Sequence, residues 1–223
     1  MRMTRFALAL AMLFALLRMS VAQEGSDMLG QELLAAVQAR DAQAVAGLID
    51  RGASLEVRDP ARRTPLLIAV RDDDVAVARL LIDAGADVNA KDNIRDTPFL
   101  YAGAEGRNDI LRLILAAGPN LRDTNRYGGN ALIPAAHHGH PQTVAILLEA
   151  GLDVNHVNNL GWTALLEAVI LGDGGPVYQE IVGLLMRGGA DPSIADRDGI
   201  TALAHARRRG FDRIAALIEN GGR

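Results

Sequence analysis

The sequence predicts an all-α solenoid of about six helix-turn-helix units, and three observations support this prediction. A tripeptide that begins with Thr or Asn recurs at positions 64, 97, 130, 163 and 201, at spacings of 33, 33, 33 and 38 residues. A glycine recurs at the same spacings at positions 52, 85, 118, 151 and 189. Before each glycine, apolar residues stand at helical spacing, as Val77, Leu80 and Leu81 do.

Residues 1–22 have the pattern of a signal peptide. Arg2 and Arg5 precede an uninterrupted apolar run over 6–17, and small side chains at 20–22 form a cleavage site. The run is 12 residues long, whereas a helix needs about 20 to cross a bilayer. We therefore expect export, cleavage after Ala22 and no stable membrane anchor afterwards. The mature chain is expected in the periplasm, with release to the extracellular space as the alternative.

The mature chain, 23–223, is predicted to form one repeat domain. In each unit Thr or Asn caps a short first helix, and a second, amphipathic helix ends at the recurring glycine, which tolerates the left-handed backbone conformation. The polar Glu219 near the C-terminus suits a terminal unit with no neighbour to bury against, so we expect a monomer. The predicted units are a degenerate N-terminal cap at about 27–57, repeats at 58–91, 92–124, 125–157 and 158–195, and a C-terminal cap at 196–223.

The fifth unit is five residues longer than the others, because the motif spacing there is 38 instead of 33. The additional residues fall within a stretch rich in turn formers at 171–178. We expect this insertion to lengthen the connection between its two helices. Tyr178 at its end is a candidate contact residue, because loops of this kind often have a functional role.

The repeated motifs resemble the ankyrin repeat family over about residues 27–223. The matching segments include Thr64-Pro65-Leu66, Gly85-Ala86-Asp87-Val88-Asn89-Ala90 and Gly161-Trp162-Thr163-Ala164-Leu165. The resemblance implies a solenoid with short hairpin-like fingers, whose tips line a concave protein-binding groove together with the first helices, without catalysis. Arg62 and Arg95 stand where the family usually has glycine, so we expect those two finger turns to differ in detail.

Composition excludes several classes of function. The chain has no cysteine, which excludes disulfides, thiolate zinc sites and cysteine nucleophiles. Its 23 basic and 27 acidic residues give a net charge of −4, and loss of Arg2, Arg5 and Arg18 with the leader makes it −7. This charge gives no general attraction to nucleic acid, so no nucleic-acid partner is predicted.

The histidines at 137, 138 and 140 are the strongest candidates for chemistry. Gly139 and Pro141 interrupt the helix that would hold the rings in a fixed arrangement, and Gly139-His140 matches a turn that is common in ankyrin repeats. We therefore predict no metal, cofactor or catalytic residues and no enzymatic activity. A histidine-dependent metal site stays open as an alternative.

Recognition is the function that the resemblance favours. Trp162, the only tryptophan, lies on a finger, and Arg126 and Tyr127 lie on the preceding finger. These residue types contribute most of the binding energy at many interfaces, although Trp162 could instead pack on its neighbouring finger. The predicted protein-binding residues are Arg63, Arg71, Ile94, Asp96, Glu105, Arg126, Tyr127, His137, His138, Leu160, Trp162 and Tyr178.

These observations lead to one functional hypothesis and two alternatives. We expect an exported, non-enzymatic scaffold that binds a partner protein through its concave surface. A narrower alternative is a periplasmic inhibitor or immunity protein for a toxic enzyme, since the acidic mature chain would attract a basic target. The other alternative is the histidine-dependent metal-binding protein.

Overall fold

The computed structural model describes residues 28–223, which contain twelve helices and no strand. The predicted leader lies outside these residues. The all-α solenoid prediction is confirmed, since the helices form six consecutive pairs. The helices are α1 (28–38), α2 (Ala42–Asp50), α3 (Pro65–Arg71), α4 (Val75–Asp83), α5 (Pro98–Ala104), α6 (Asn108–Ala116), α7 (Leu132–His137), α8 (Pro141–Glu149), α9 (Ala164–Leu171), α10 (Pro176–Arg187), α11 (Ala202–Arg208) and α12 (Asp212–Glu219).

Side-chain caps fix where most of the first helices begin. The Thr64 hydroxyl accepts a hydrogen bond from the Leu67 amide (3.3 Å), and Thr97 and Thr163 cap α5 and α9 in the same way. All three threonines are buried, so each cap satisfies an amide that water cannot reach. In the fourth repeat Asn130 replaces the threonine and also donates to the Asp153 carbonyl (2.9 Å), which joins its helix to the following loop.

The recurring glycines end the second helices as the sequence predicted. Gly85 has φ +91°, and the next amide, that of Ala86, donates to the Leu81 carbonyl at 3.0 Å. Gly52, Gly118 and Gly151 have the same left-handed conformation. The chain can therefore leave each helix in a tight turn and proceed toward the next finger.

Neighbouring repeats stack through like helices. The first helices α3, α5, α7, α9 and α11 contact one another in order, and the second helices α2, α4, α6, α8, α10 and α12 do the same. Buried side chains form one continuous core along this stack, which includes Leu66, Phe99, Leu132 and Leu165 from successive first helices. Each unit thus depends on its neighbours for burial, as is typical of repeat proteins.

The additional residues of the fifth repeat lie mostly in helix, not in the connection. α10 has 12 residues and α4 has 9, whereas the connection at 172–175 is only one residue longer than that at 72–74. Pro176 starts α10 early because its fixed φ suits the first helical turn. The expectation of a longer connection is therefore met by only one residue.

The finger turns of successive repeats have the same backbone conformation. Arg62 (φ +61°) and Arg95 (φ +68°) adopt the left-handed conformation that Gly128 (φ +72°) and Gly161 (φ +85°) adopt in later fingers. The expectation that the two arginine turns differ is wrong, because stacking on adjacent fingers imposes one geometry. For example, the Asn93 amide donates to the Ala61 carbonyl at 3.1 Å. The cost of this geometry is backbone strain at both arginines.

The C-terminal unit presents a polar surface. Glu219 is exposed and forms an ion pair with Arg207. Over residues 28–223, every helix is too short or too polar to cross a membrane.

Candidate functional site

A groove of about 390 Å³ lies between the finger tips and the first helices of the third, fourth and fifth repeats. Helices α5, α7 and α9 form one wall, and the fingers around 125–129 and 158–162 form the other. Most of the predicted binding residues meet here. Those that line the groove are Asp96, Glu105, Arg126, Tyr127, His137, His138, Leu160 and Trp162.

Side-chain hydrogen bonds hold the two fingers rigid. Asn125 Oδ1 accepts from the amides of Tyr127 (2.9 Å) and Gly129 (3.1 Å). Asn158 Oδ1 accepts from the amides of Leu160 (2.9 Å) and Trp162 (3.0 Å). Such turns form within the chain, so the backbone of each finger tip is ordered before any partner arrives.

The fingers expose large apolar and aromatic side chains to the groove. Tyr127 is 53% exposed and Leu160 is 48% exposed. The Arg126 guanidinium lies 4.6 Å above the centre of the Tyr127 ring. Trp162 is half-buried against the core and also lines the groove, so the alternatives of packing and contact are compatible.

Glu167 is a groove residue that is not among the predicted binding residues. It lies on α9, is only 5% exposed, and its Oε1 accepts a hydrogen bond from Asn158 Nδ2 at 3.0 Å. Its Oε2 is 3.6 Å from His137 Nδ1. Burial raises the pKa of Glu167, and the Asn158 hydrogen bond only partly offsets this effect.

A signal for Glu167 was present in the repeat register. It stands four residues after the capping Thr163, where the other repeats have Ile68, Tyr101, Pro134 and His205. An acidic residue at a position that is mostly apolar indicates a special role. Comparing the repeats position by position could therefore have identified it.

The two groove histidines are held in distinct environments. His138 Nδ1 lies 2.7 Å from the Ala104 carbonyl oxygen, which can only accept, so Nδ1 carries the proton. The rings of His137 and His138 are 4.9 Å apart. Burial lowers the pKa of His137, and the positive charge that His138 can acquire lowers it further. Both effects favour the neutral form of His137.

Comparison with known proteins decides the family. A family profile described as "Ankyrin repeats (3 copies)" matches residues 33–125 and 101–196. The chain belongs to the ankyrin repeat family. Ankyrin repeats are generally scaffolds for protein–protein interaction and form a non-enzymatic fold class.

Solved ankyrin structures agree with this assignment. An ankyrin repeat domain from Acinetobacter baumannii AYE is 53% identical, with a TM-score of 0.83, over 85% of this chain and 97% of the other. The ankyrin repeat protein EF0377 is 45% identical with the same TM-score and coverage. The ankyrin repeat domain of Bcl-3, a member of the IkappaB family, is 30% identical with a TM-score of 0.77, over 86% of each chain.

A sequence relative also has ankyrin repeats in its name. YahD of Escherichia coli (strain K12) is 48% identical over 56 residues. These residues are 25% of this chain and 28% of YahD, so the match spans about a quarter of each protein.

Four predicted binding residues of the ankyrin array do not line the groove. Arg63 pairs with Asp59, and the Arg71 guanidinium stacks 4.5 Å above the ring of Tyr101. Ile94 is a 42% exposed finger-tip residue. The Tyr178 hydroxyl donates to the His137 carbonyl at 2.8 Å and thereby ties the inserted part of α10 to the preceding repeat.

The histidine cluster has no metal-binding geometry in the part of the chain that the structure describes. There, no group of three or more His, Cys, Asp or Glu residues is arranged to hold a metal ion. His138 and His140 have ring centres 6.2 Å apart, and His140 packs against Gly106 in the turn of the preceding ankyrin repeat.

Proposed function

We propose that the protein is an exported, non-enzymatic scaffold that binds a partner protein in the groove of its third to fifth ankyrin repeats. The observation that carries this proposal is the joint exposure of large apolar side chains at a preformed groove. Tyr127, Leu160 and Leu171 are each more than 40% exposed, and all three line it. Apolar residues gathered in this way on one surface are typical of an interaction site.

Rigidity supports the same proposal. The turns formed by Asn125 and Asn158 order the finger tips in the free protein, and the Asn159 amide links the two fingers by donating to the Tyr127 carbonyl at 2.9 Å. A partner would therefore pay little entropy to order this surface. Trp162, Tyr127, Arg126, His137 and His138 are the proposed central contacts.

Affinity capture tests the binding function. The baits are the mature chain from 23 to 223, its Trp162→Ala/Tyr127→Ala variant, and a Val177→Ala control. Val177 is 44% exposed on α10, outside the groove lining. We expect the wild type and the control to retain a protein from an extract of the source organism that the double variant loses. Equal capture by all three folded baits would contradict the groove assignment.

Export and a monomeric state are further parts of the proposal. The pattern of residues 1–22 supports cleavage after Ala22, and N-terminal sequencing of the protein from its native host should then begin at Gln23. Protein that retains Met1 would contradict cleavage. The polar C-terminal cap supports a monomer, which sedimentation equilibrium of the mature chain would test.

An inhibitor or immunity function would use the same surface. The acidic mature chain, with a net charge of −7 after cleavage, supports a basic target. If the captured protein is an enzyme, a stoichiometric amount of the mature chain should abolish its activity, and the double variant should not.

A further inference from the structure

We infer that the groove receives a basic side chain of the partner protein, an arginine or a lysine between apolar residues, with Glu167 as its counter-ion. This inference rests on the proposed function and names the chemistry of the partner. Three features of the groove carry it.

The first feature is the incomplete pairing of Glu167. Its side chain is buried, yet it lines the groove, so a ligand side chain can reach it. Oε1 is bonded to Asn158, but Oε2 is 3.6 Å from its nearest basic group, His137 Nδ1, which is beyond hydrogen-bond distance. A carboxylate oxygen can accept two hydrogen bonds, so Oε2 has free acceptor capacity.

The second feature is the balance of charge. Asp96 and Glu105 line the groove together with Glu167. Within residues 28–223, no arginine or lysine nitrogen lies within 4.0 Å of any of these three carboxylates. The one arginine of the lining, Arg126, stacks on Tyr127 instead. The lining therefore holds three carboxylates against one guanidinium.

The third feature is the set of apolar and aromatic surfaces around the carboxylates. Trp162 and Tyr127 offer ring faces that attract cations. Leu160 and Leu171 are 48% and 43% exposed and can cover apolar residues on either side of a basic one. A neutral or acidic segment would instead bury Glu167 without a counter-ion, which is strongly unfavourable.

A peptide display library is the probe that tests this inference. The library is selected for binding to the mature chain from 23 to 223, and the selected peptides are then synthesised in soluble form.

Glu167→Gln removes the charge and keeps an oxygen to accept from Asn158. Glu180→Gln is the matched control, because Glu180 is exposed on α10 outside the groove and its replacement changes the net charge equally. Thermal unfolding followed by circular dichroism verifies that each variant folds.

The fluorescence of Trp162, the only tryptophan, reports binding at the groove itself. We expect the selected peptides to contain an arginine or lysine between apolar residues. Glu167→Gln should weaken their binding on the order of tenfold to a hundredfold, the range for a hydrogen bond to a charged group. Glu180→Gln should change it by less than about twofold. Replacing the basic residue of the peptide by norleucine should cost much less affinity on Glu167→Gln than on the wild type.

Two results separate the failure of this inference from the failure of the proposed function. Peptides that lack a basic residue, or that bind wild type and Glu167→Gln equally, would overturn the inference. If such peptides still require Trp162 and Tyr127, the binding function stands. Because Trp162→Ala/Tyr127→Ala has no tryptophan, its binding is measured by isothermal titration calorimetry. Peptides whose binding is unaffected by this double substitution would overturn both.

Discussion

The second and fifth repeats each bury a carboxylate, and they treat its charge differently. Asp59 and Glu167, at 7% and 5% exposure, are the two buried acidic residues among those that the structure describes. Asp59 accepts two hydrogen bonds from Arg63, from its backbone amide (2.8 Å) and from Nε (2.7 Å), and Arg63 Nη2 lies 2.6 Å from the same carboxylate as an ion pair. Glu167 accepts one hydrogen bond, from a neutral amide.

The pKa directions of the two groups follow from their partners. Burial by itself would raise the pKa of Asp59, but the hydrogen bonds and charge of Arg63 lower it overall. Burial raises the pKa of Glu167, and its bond to Asn158 is too weak to reverse this. The second repeat thus supplies its buried carboxylate with an internal cation. The fifth repeat gives Glu167 no arginine or lysine partner, so this carboxylate is available to a partner protein bound in the groove.

The largest expected effect is the loss of stability when Asp59 is replaced. Asp59→Ala should lower the free energy of unfolding by about 2 kcal/mol, because it removes charged hydrogen bonds and leaves Arg63 unpaired. Urea unfolding of the variant and the wild type measures this difference in free energy. The pKa of Asp59 is lower in the folded protein, so its contribution to the free energy of unfolding is fully present above the ordinary carboxyl range. That contribution disappears as the pH falls through the lowered pKa. The stabilities of Asp59→Ala and the wild type should therefore converge in acid.

Asp83→Ala is the control for this measurement. Asp83 is an exposed residue at the end of α4, and its replacement should change stability by no more than about 0.5 kcal/mol. Equal stability of Asp59→Ala and the wild type would show that the Asp59–Arg63 pair contributes nothing to the free energy of unfolding. The second and fifth repeats would then not differ in the way proposed.

The opposite sign is expected at Glu167. Glu167→Gln should raise the free energy of unfolding at pH 7 by up to about 1 kcal/mol, because a buried charge without a cation is removed. The raised folded pKa means that Glu167 costs stability at neutral pH and that this cost fades as the pH falls toward and below 4.5, the ordinary value. The gain should therefore shrink in acid, as thermal unfolding at a series of pH values can measure. A less stable variant at pH 7 would show that the fold itself compensates the charge.

The sequence predicted the fold well because the repeat rules are local. Thr64 and its equivalents cap a helix within three residues, and Gly85 and its equivalents end one within a single turn. Both landmarks act through the backbone nearby and so can be located along the chain. The insertion was harder to place, because its residues could extend either α10 or the turn before it, and packing against the preceding repeat decides between them.

The site was only partly predictable for a related reason. Tyr127 and Leu160 follow from the finger register, which determines that they are at the tips. Glu167 belongs to a buried helix position, and the chain itself does not reveal that α9 borders an open groove there. The register places Arg63 at a finger position as well, but it does not reveal that Asp59 pairs with its side chain.

The finger turns of the second and last repeats offer a smaller test, of backbone strain instead of buried charge. Arg62 of the second repeat is strained at φ +61°, whereas Gly199 of the last repeat has φ +73° at no such cost. Arg62→Gly should raise the free energy of unfolding by up to about 1 kcal/mol, and Gly199→Ala should lower it by a similar amount. The Cβ added at Gly199 meets no atom within 4 Å, so its effect is conformational. Urea unfolding that shows both changes with the same sign would contradict this account.

The smallest expected effect is the pH dependence of binding at the groove. His137 is close to His138 and Glu167, and its pKa is lowered from 6.5, chiefly by burial. It should gain a proton only as the pH falls below the usual histidine range. That charge would repel a basic side chain and compete with it for Glu167. The raised pKa of Glu167 also weakens binding in acid, because its carboxylate loses its negative charge as the pH falls. A basic peptide should therefore bind several-fold more weakly at pH 5 than at pH 7.

His137→Gln isolates the contribution of His137. It should reduce the pH dependence of peptide binding and leave the part that belongs to the raised pKa values of Glu167 and Asp96. NMR titration of the His137 ring gives its pKa directly and should find it below that of free histidine. If the basic peptide binds more tightly in acid, protonation of His137 and Glu167 does not oppose its binding, and the contrast between the second and fifth repeats then has no bearing on recognition.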